Sequence, residues 1–296
     1  MIENVDHIII AVEDLESAED NYTKIFGTEP VWRGFHNELG TSNVLFNFEN
    51  TYLELLAATG SGIGADMVNN AIEKKGDGLL GLVLGTKNIK VFRERVSGFG
   101  FPLSESAEGE GESEQNERRK WLYQFLPPEI TRGIFSFVIE HKSKGLPFFE
   151  RDKSSVRKLE QVVVKTSDCD GFIKVYKDLF GIRLALDSFI EAWKKRMLFF
   201  RLNKTTIEVI EEKNGEVVPI DSLWGLAWGV RDINLARERL IEQNIEVSDI
   251  KPGVKKDTLV ATIKSHTNNV PTLLICLLYT SPSPRDISGS RMPSSA

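Results

Sequence analysis

Two cysteines in 296 residues, Cys169 and Cys276, are too few for a disulfide framework and lack the paired spacing of a zinc site. No apolar run approaches the ~20 residues that span a bilayer. The opening MIENVDHIIIAV has neither a basic stretch ahead of its apolar run nor a small-residue cleavage site, so it does not read as a secretory signal. Basic residues are outnumbered. A net charge of −6 and a pI near 5.5 argue against nucleic acid or an anionic membrane surface as a partner. Also missing are a glycine-rich phosphate loop, a serine or cysteine nucleophile motif and a basic–aromatic patch. These absences leave a globular protein of about two domains' length, expected in a reducing cytoplasm as a monomer or homodimer.

What the chain does have is a duplication. Residues 5–27, VDHIIIAVEDLESAEDNYTKIFG, align without a gap on residues 159–181, LEQVVVKTSDCDGFIKVYKDLFG. The same offset of 154 residues carries Glu54 in TYLELL onto Glu208 in TTIEVI, while His7 meets Gln161. Any chemistry that needs the imidazole is therefore expected in the N-terminal half.

Within the first copy, Val5–Val12 reads as a β-branched strand. Asp14 is a helix N-cap, a stripe of Leu15, Ala18, Tyr22, Ile25 and Phe26 marks the helix, and Gly27 stops it. Three strand-like runs follow at Pro30–His36, Ser42–Phe48 and Thr51–Ala57, so the unit is β-α-β-β-β. GLLGLVLGTKNI (78–89) opens a second such unit, with Gly98 or Gly100 ending its helix and later strands at Trp121–Leu126 and Gly133–His141. Between helix and strands lies SESAEGEGESEQNERRK, residues 104–120, whose acidic, glycine-rich composition predicts a solvated loop, with a lid over the site as the alternative.

Residues 159–212 repeat unit one, and SLWGLAWGVRDINLARERL opens the fourth unit, sharing Gly225-Leu226 with Gly81-Leu82. Trp224 and Trp228 are expected on one core-facing side of its strand. The expected fold is α+β: four βαβββ units paired into two domains with curled mixed β-sheets around a cleft. The boundaries are 1–145, a linker at 146–157, and 158–276. In the final strand VPTLLIC, Cys276 falls where Glu140 stands in unit two. Residues 277–296, rich in serine and proline, break the pattern and read as a non-native, disordered tail standing in place of the natural ending after about Ile275, with an ordinary disordered C-terminus as the alternative.

The first strand and helix, together with FHNELGTSNVLFNFENTYLELLA, resemble the vicinal oxygen chelate superfamily over residues 3–275. That superfamily includes glyoxalase I, extradiol dioxygenases, methylmalonyl-CoA epimerase and the fosfomycin and bleomycin resistance proteins. The motif residues here are His36, Gly40, Thr41, Asn43, Tyr52, Leu53, Glu54 and Leu55, in the pattern of a glyoxalase-like branch. The resemblance implies a divalent metal (iron, manganese, nickel or zinc) in the cleft, held by residues of the first and fourth strands of paired units. Carried over, the ligands are His7, Glu54 and Glu140, because Gly81 at the partner's first-strand position cannot bind metal. It further implies a metal-dependent lyase or isomerase acting on a small oxygen-rich substrate. The alternatives are a non-catalytic binding protein of the bleomycin-resistance type and an extradiol-type dioxygenase.

Each residue also has a plainer reading. His7 reads equally as a strand histidine hydrogen-bonded at the cleft. Strand alternation places Tyr52, Glu54 and Leu56 on one face, and an inward carboxylate needs a metal, a cation or a proton. Glu54 is thus the expected catalytic residue, with an interfacial salt bridge as the alternative that Glu208 keeps open. His36, Asn43, Asn47 and Arg33 are the expected substrate contacts, against ordinary loop capping or solvation. His141 should point to the face opposite Glu140, and His266, in the turn SHTNN, to solvent.

Overall fold

Residues 1–191, 193–212 and 220–278 are described by the computed structural model. The residue run VDHIIIA forms β1 (Asn4–Ala11), and the Asp14 side chain accepts from Ser17 N at 3.0 Å to open α1 (Leu15–Phe26). That helix buries Ala18, Tyr22, Ile25 and Phe26, and Gly27 ends it in the left-handed region at φ 65°. β2 (Trp32–His36), β3 (Thr41–Asn47) and β4 (Tyr52–Ala58) complete the unit, with β4 returning parallel to β1. The second unit consists of β5 (Gly78–Gly85), α3 (Ile89–Gly98), β6 (Ala107–Ser113), β7 (Arg118–Phe125), the single turn α4 (Pro128–Thr131) and β8 (Phe135–His141). α2 (Ile63–Lys75) joins the two units and lies outside the βαβββ order.

The eight strands close into a barrel in the order β1-β4-β3-β2-β6-β7-β8-β5. Closure depends on the segment expected to be a solvated loop. Residues 107–113 and 118–125 form a hairpin, and Gly34 and Phe35 of β2 pair with Ser113 and Glu112 of β6. Composition pointed to solvent, but the period-two alternation decides the structure. Glu110 and Glu112 turn outward to Arg118 and Lys120, while Gly109 and Gly111 lie beneath the Trp121 indole. A Cβ on Gly109 would stand 2.1 Å from Trp121 Nε1. Gly109→Ala should therefore push Trp121 off the seam and cost about 1–3 kcal/mol in denaturant melts. An unchanged midpoint would show that the indole does not need the space.

The C-terminal half repeats the plan with β9 (Val156–Thr166), α5 (Cys169–Ile173, continuing as a π-turn over Lys174–Leu179), β10 (Arg183–Ile190), β11 (Lys195–Leu202) and β12 (Thr205–Glu211). β13 (Asp221–Val230), α6 (Ile233–Glu242), β14 (Lys251–Pro252), β15 (Thr258–Ile263) and β16 (Thr272–Leu277) follow. Its eight strands form a sheet in the order β10-β11-β12-β9-β13-β16-β15-β14. β14, at two residues, pairs with β15 and leaves this sheet open where β6 closes the first. The expected tail, residues 277–296, lies outside the described residues from 279 onward.

One apolar core runs through both halves. Trp228 packs fully buried against Phe26 and Phe48, at 4.9 and 4.7 Å between ring centroids. Trp224 does not join it, contrary to expectation. A register break between Leu223 and Gly225 leaves Trp224 out of the pairing with β9 and turned outward, where Lys165 lies over its ring. The helices exchange caps. Arg95 of α3 donates to the carbonyls of Leu179 and Asp178, at 2.6 and 2.7 Å, while Arg239 of α6 donates to those of Lys24 and Ile25. Each guanidinium thus sits at the negative end of a helix from the other half, where a cation is favoured. His266 is exposed, as expected.

Candidate active site

The inner wall of the barrel carries the polar residues. β1 and β4 run parallel with Ile9 opposite Glu54, which brings the side chains of His7 and Glu54 together on the inner face. His7 Nε2 stands 3.3 Å from Glu54 Oε2, and both residues are buried. Each has a further partner. Asp6 Oδ1 meets His7 Nδ1 at 2.7 Å, and Asn43 Nδ2 donates to Glu54 Oε1 at 2.7 Å. The Tyr52 ring stacks on the His7 ring at 4.5 Å, and Phe137 meets its edge.

Asp6 should point away from this face, since its neighbour His7 points in. A register break between Val5 and His7 in the pairing of β1 with β5 puts both side chains inside. There Asp6 also receives His141 Nε2 of β8, at 3.0 Å to Oδ2. The barrel end near Ile9, Ala11 and Leu56 is filled by Met67, Val68 and Ile72 of α2 together with Val83 and Ile139.

Electrostatics follow from this geometry. Burial alone would push the Asp6 carboxyl up, but the His141 and His7 hydrogen bonds and charges outweigh it and hold the group far below the ordinary carboxylate range. Burial likewise opposes charge on His7, and Asp6 and Glu54 overcome it, so His7 is raised. Glu54 is lowered, its burial outweighed by His7, His36 and Asn43. The charged form of His7 is therefore favoured, clamped between two carboxylates. His36 bonds through Nδ1 to Thr41 Oγ1 at 3.0 Å, and burial lowers it, so it stays neutral.

The expected site residues divide. His7, Glu54, Asn43 and His36 converge, and Tyr52 lies on the face assigned to it. Glu140 does not join them. On β8, Phe137 and His141 face inward, and Glu140 points out, where its Oε2 accepts from Ile89 N at 2.9 Å to cap α3 and it pairs with Lys142. The inward residue at this strand end is His141, one position on. Arg33 lies outside the barrel, its Nε donating to Glu19 of α1 at 2.9 Å. Asn47 holds the linker instead, donating to the carbonyls of Leu146 and Pro147, at 3.2 and 2.8 Å.

Asp6, His141, Arg119 and Trp121 are the inward residues that sequence reasoning missed. A charged residue in an otherwise apolar strand was the available signal for Asp6. For His141 it was the alternation of Phe135, Phe137 and Ile139.

A divalent metal needs more than the barrel offers. His7 Nε2 and Glu54 supply one nitrogen and one carboxylate, while the inward Asp6 and His141 lie on the Nδ1 side of the same imidazole, away from Glu54. Among the described residues no three histidine, cysteine, aspartate or glutamate side chains form a ligand group. Three protein ligands are the usual minimum for a catalytic site of this kind, so the residues present do not fit one.

In the other half the corresponding pair is Gln161 and Glu208, with Gln161 Nε2 donating to Glu208 Oε2 at 2.6 Å. Here nothing answers the burial of the carboxyl but an amide, and Glu208 is pushed up to about 7. The same glutamate is thus held charged in one copy and eased toward neutrality in the other.

Paired βαβββ units with an imidazole and a carboxylate on the inner wall define a protein of the vicinal oxygen chelate fold. Residues 5–180 match the family model described as "Glyoxalase-like domain", and residues 160–262 match the Glyoxalase/Bleomycin resistance protein/Dioxygenase superfamily. The chain belongs to the glyoxalase-like domain family. Among solved structures it is similar to a Mn(II)-bound glyoxalase from Novosphingobium aromaticivorans, with TM-score 0.64 and 14% identity over 94% of this chain and 83% of that one. A hypothetical protein from Staphylococcus aureus has TM-score 0.63 and 12% identity over 92% and 99%. A 4-hydroxymandelate synthase mutant from Streptomyces coelicolor has TM-score 0.61 and 12% identity over 93% and 92%. These likenesses concern the fold. A search of curated proteins finds no match. Among the described residues no helix is long and apolar enough to cross a membrane.

Proposed function

We propose that the N-terminal domain, taken as residues 1–145, is the active site of an isomerase- or lyase-type enzyme that moves a proton on a small oxygen-rich molecule. The observation that carries this reading is the buried His7–Glu54 pair, backed by Asp6 and Asn43 and lacking its imidazole in the second copy. A carbonyl oxygen entering the barrel competes with Glu54 for the His7 Nε2 proton. The imidazolium then stabilises negative charge on that oxygen, and the released Glu54 takes a proton from the adjacent carbon. Asp6 holds the imidazole by Nδ1 through both steps, and neutral His36 stands ready to pass a proton. The linker at 146–157, tied to the barrel by Asn47, separates this domain from residues 158–276, which serve as a supporting copy.

The test is exchange of carbon-bound hydrogen for solvent deuterium, followed by proton NMR. The substrates are a panel of small 2-hydroxy ketones, 2-oxo acids and thiol hemithioacetals. Wild type should promote exchange on at least one class, and Glu54→Gln and His7→Gln should each lower it by about a hundredfold or more. Equal rates in all three proteins would remove the pair from the chemistry.

A metal-dependent form of the same reaction would need a ligand beyond His7 and Glu54. Purified protein is accordingly expected to hold far less than one divalent ion per chain after dialysis, measured by plasma mass spectrometry. One tightly held ion, lost in His7→Ala, would replace the proton-pair reading with a metal one. A non-catalytic binding role would show as ligand affinity without exchange.

A further inference from the structure

Three basic residues follow one another on β7, and the middle one stands apart. Arg118 and Lys120 face outward to Glu110 and Glu112. Arg119 turns into the barrel, its Cζ 5.8 Å from the Trp32 ring centroid and 5.6 Å from that of Tyr52. Arg119 Nε is buried without a hydrogen-bond partner, and among the described residues no carboxylate pairs with the guanidinium. The two carboxylates nearby are already engaged: Glu54 by His7 and Asn43, Asp6 by His7 and His141. Arg119 is partly buried, and with its Nε unpartnered and no carboxylate paired to it, its donors are left for an anionic ligand.

We propose that Arg119 is the anchor for a carboxylate on the molecule this barrel binds. Resting on the barrel reading above, this narrows the substrate to a small carboxylic acid. The two aromatic rings hold the guanidinium by their faces, as cations are held over aromatic rings, and leave its N–H edge free for a planar two-oxygen group. One guanidinium matches a single negative charge. A phosphate dianion would call for further cations, and the neighbouring basic residues Arg118 and Lys120 face the other way. The Tyr52 ring touches both Arg119 and His7, so the carboxylate and the carbon that exchanges its proton are a few bonds apart.

Isothermal titration calorimetry on the full chain tests this with pyruvate, lactate, their amides and inorganic phosphate as probes. Wild type should bind at least one of the two acids at millimolar concentration and neither amide. Arg119→Gln and Arg119→Met, the second keeping the packing on Trp32 and Tyr52, should each weaken binding by about ten- to a hundredfold. Thermal melts confirm that both variants fold. Loss of carboxylate binding in the Arg119 variants together with unchanged exchange in Glu54→Gln would retain the anchor and sink the proton-transfer reading. The proposal is overturned if neither acid binds wild type, if the amides or phosphate bind as well as the acids, or if both Arg119 variants bind like wild type.

Discussion

His7→Gln should destabilise the protein by roughly 3–5 kcal/mol at neutral pH. The chain already contains this variant's geometry at Gln161 and Glu208, where the carboxyl is pushed up to about 7. In wild type the His7 hydrogen bond and charge hold Glu54 below its ordinary value of 4.5. A lowered carboxyl contributes stability that is present above the unfolded value and lost as pH falls through the folded one. Once the imidazolium is gone, the Glu54 carboxyl should rise as that of Glu208 does, and the sign reverses. The variant is then most stable below about 4.5 and weakens as pH climbs toward 7. A shift of that size is worth about 3 kcal/mol at ~1.4 kcal/mol per unit, and Asp6 loses one of its partners as well. His7 itself is raised above 6.5, so its contribution is complete below that value and fades as pH rises through the higher folded one. Between pH 5 and pH 8 the fading His7 contribution narrows the gap between the two proteins while the raised Glu54 carboxyl widens it, so the variant's own melts carry the test: its urea midpoint should fall from pH 5 to pH 8 as Glu54 ionises. A midpoint in His7→Gln that holds or rises over that range would mean that losing His7 does not raise the Glu54 carboxyl.

The repeat at offset 154 made the βαβββ units readable, and a single alternation argument placed Tyr52 and Glu54 on the inner face. What stayed hidden was decided by contacts between distant segments. Asp6 faces inward because of one unpaired residue in the β1–β5 register, and nothing in VDHII marks a bulge. Glu140, the nearest carboxylate at the fourth-strand position, and His141 are neighbours on β8, and in a strand one position is the difference between the two faces.

In AEGEGES the composition of a loop masks the periodicity of a strand. The glycines have no β-propensity of their own and gain their place from the Trp121 ring above them and the free edge of β2 beside them. α2 is similar. GADMVNN has weak helix propensity, and the segment is held by Met67, Val68 and Ile72 closing the end of the barrel. Arg119 could have been singled out only by seeing that the partners of Arg118 and Lys120 lie on the opposite side of the hairpin.

Arg132→Ala should cost a further roughly 3–5 kcal/mol, through a different kind of contact. Arg132 follows α4 in the left-handed region at φ 55° and reaches across to the C-terminal half. Its Nε and Nη2 donate to the two carboxylate oxygens of Asp221, at 2.7 and 3.1 Å, and Nη2 also reaches the Asp168 carbonyl at 2.9 Å. Asp221 is 1% exposed and accepts in addition from Thr166 Oγ1 at 2.6 Å. Removing the guanidinium strands that carboxylate in the core between the halves, where water cannot replace it. The second ion pair, to Asp168, is of another order. Its carboxylate is half exposed, so Asp168→Ala should cost no more than about 1 kcal/mol from the ion pair, plus a similar amount for its cap on Gly171 N. Salt separates the two: 1 M sodium chloride should leave the Arg132→Ala deficit nearly unchanged, because a buried pair is little screened, and should shrink the ion-pair part of the Asp168→Ala deficit. The double replacement Arg132→Met with Asp221→Leu should recover most of the loss, since the cost lies in the orphaned charge rather than in the missing attraction. If the double variant is as unstable as Arg132→Ala, the guanidinium holds the halves together by its backbone contacts, and the Asp221 pair is incidental.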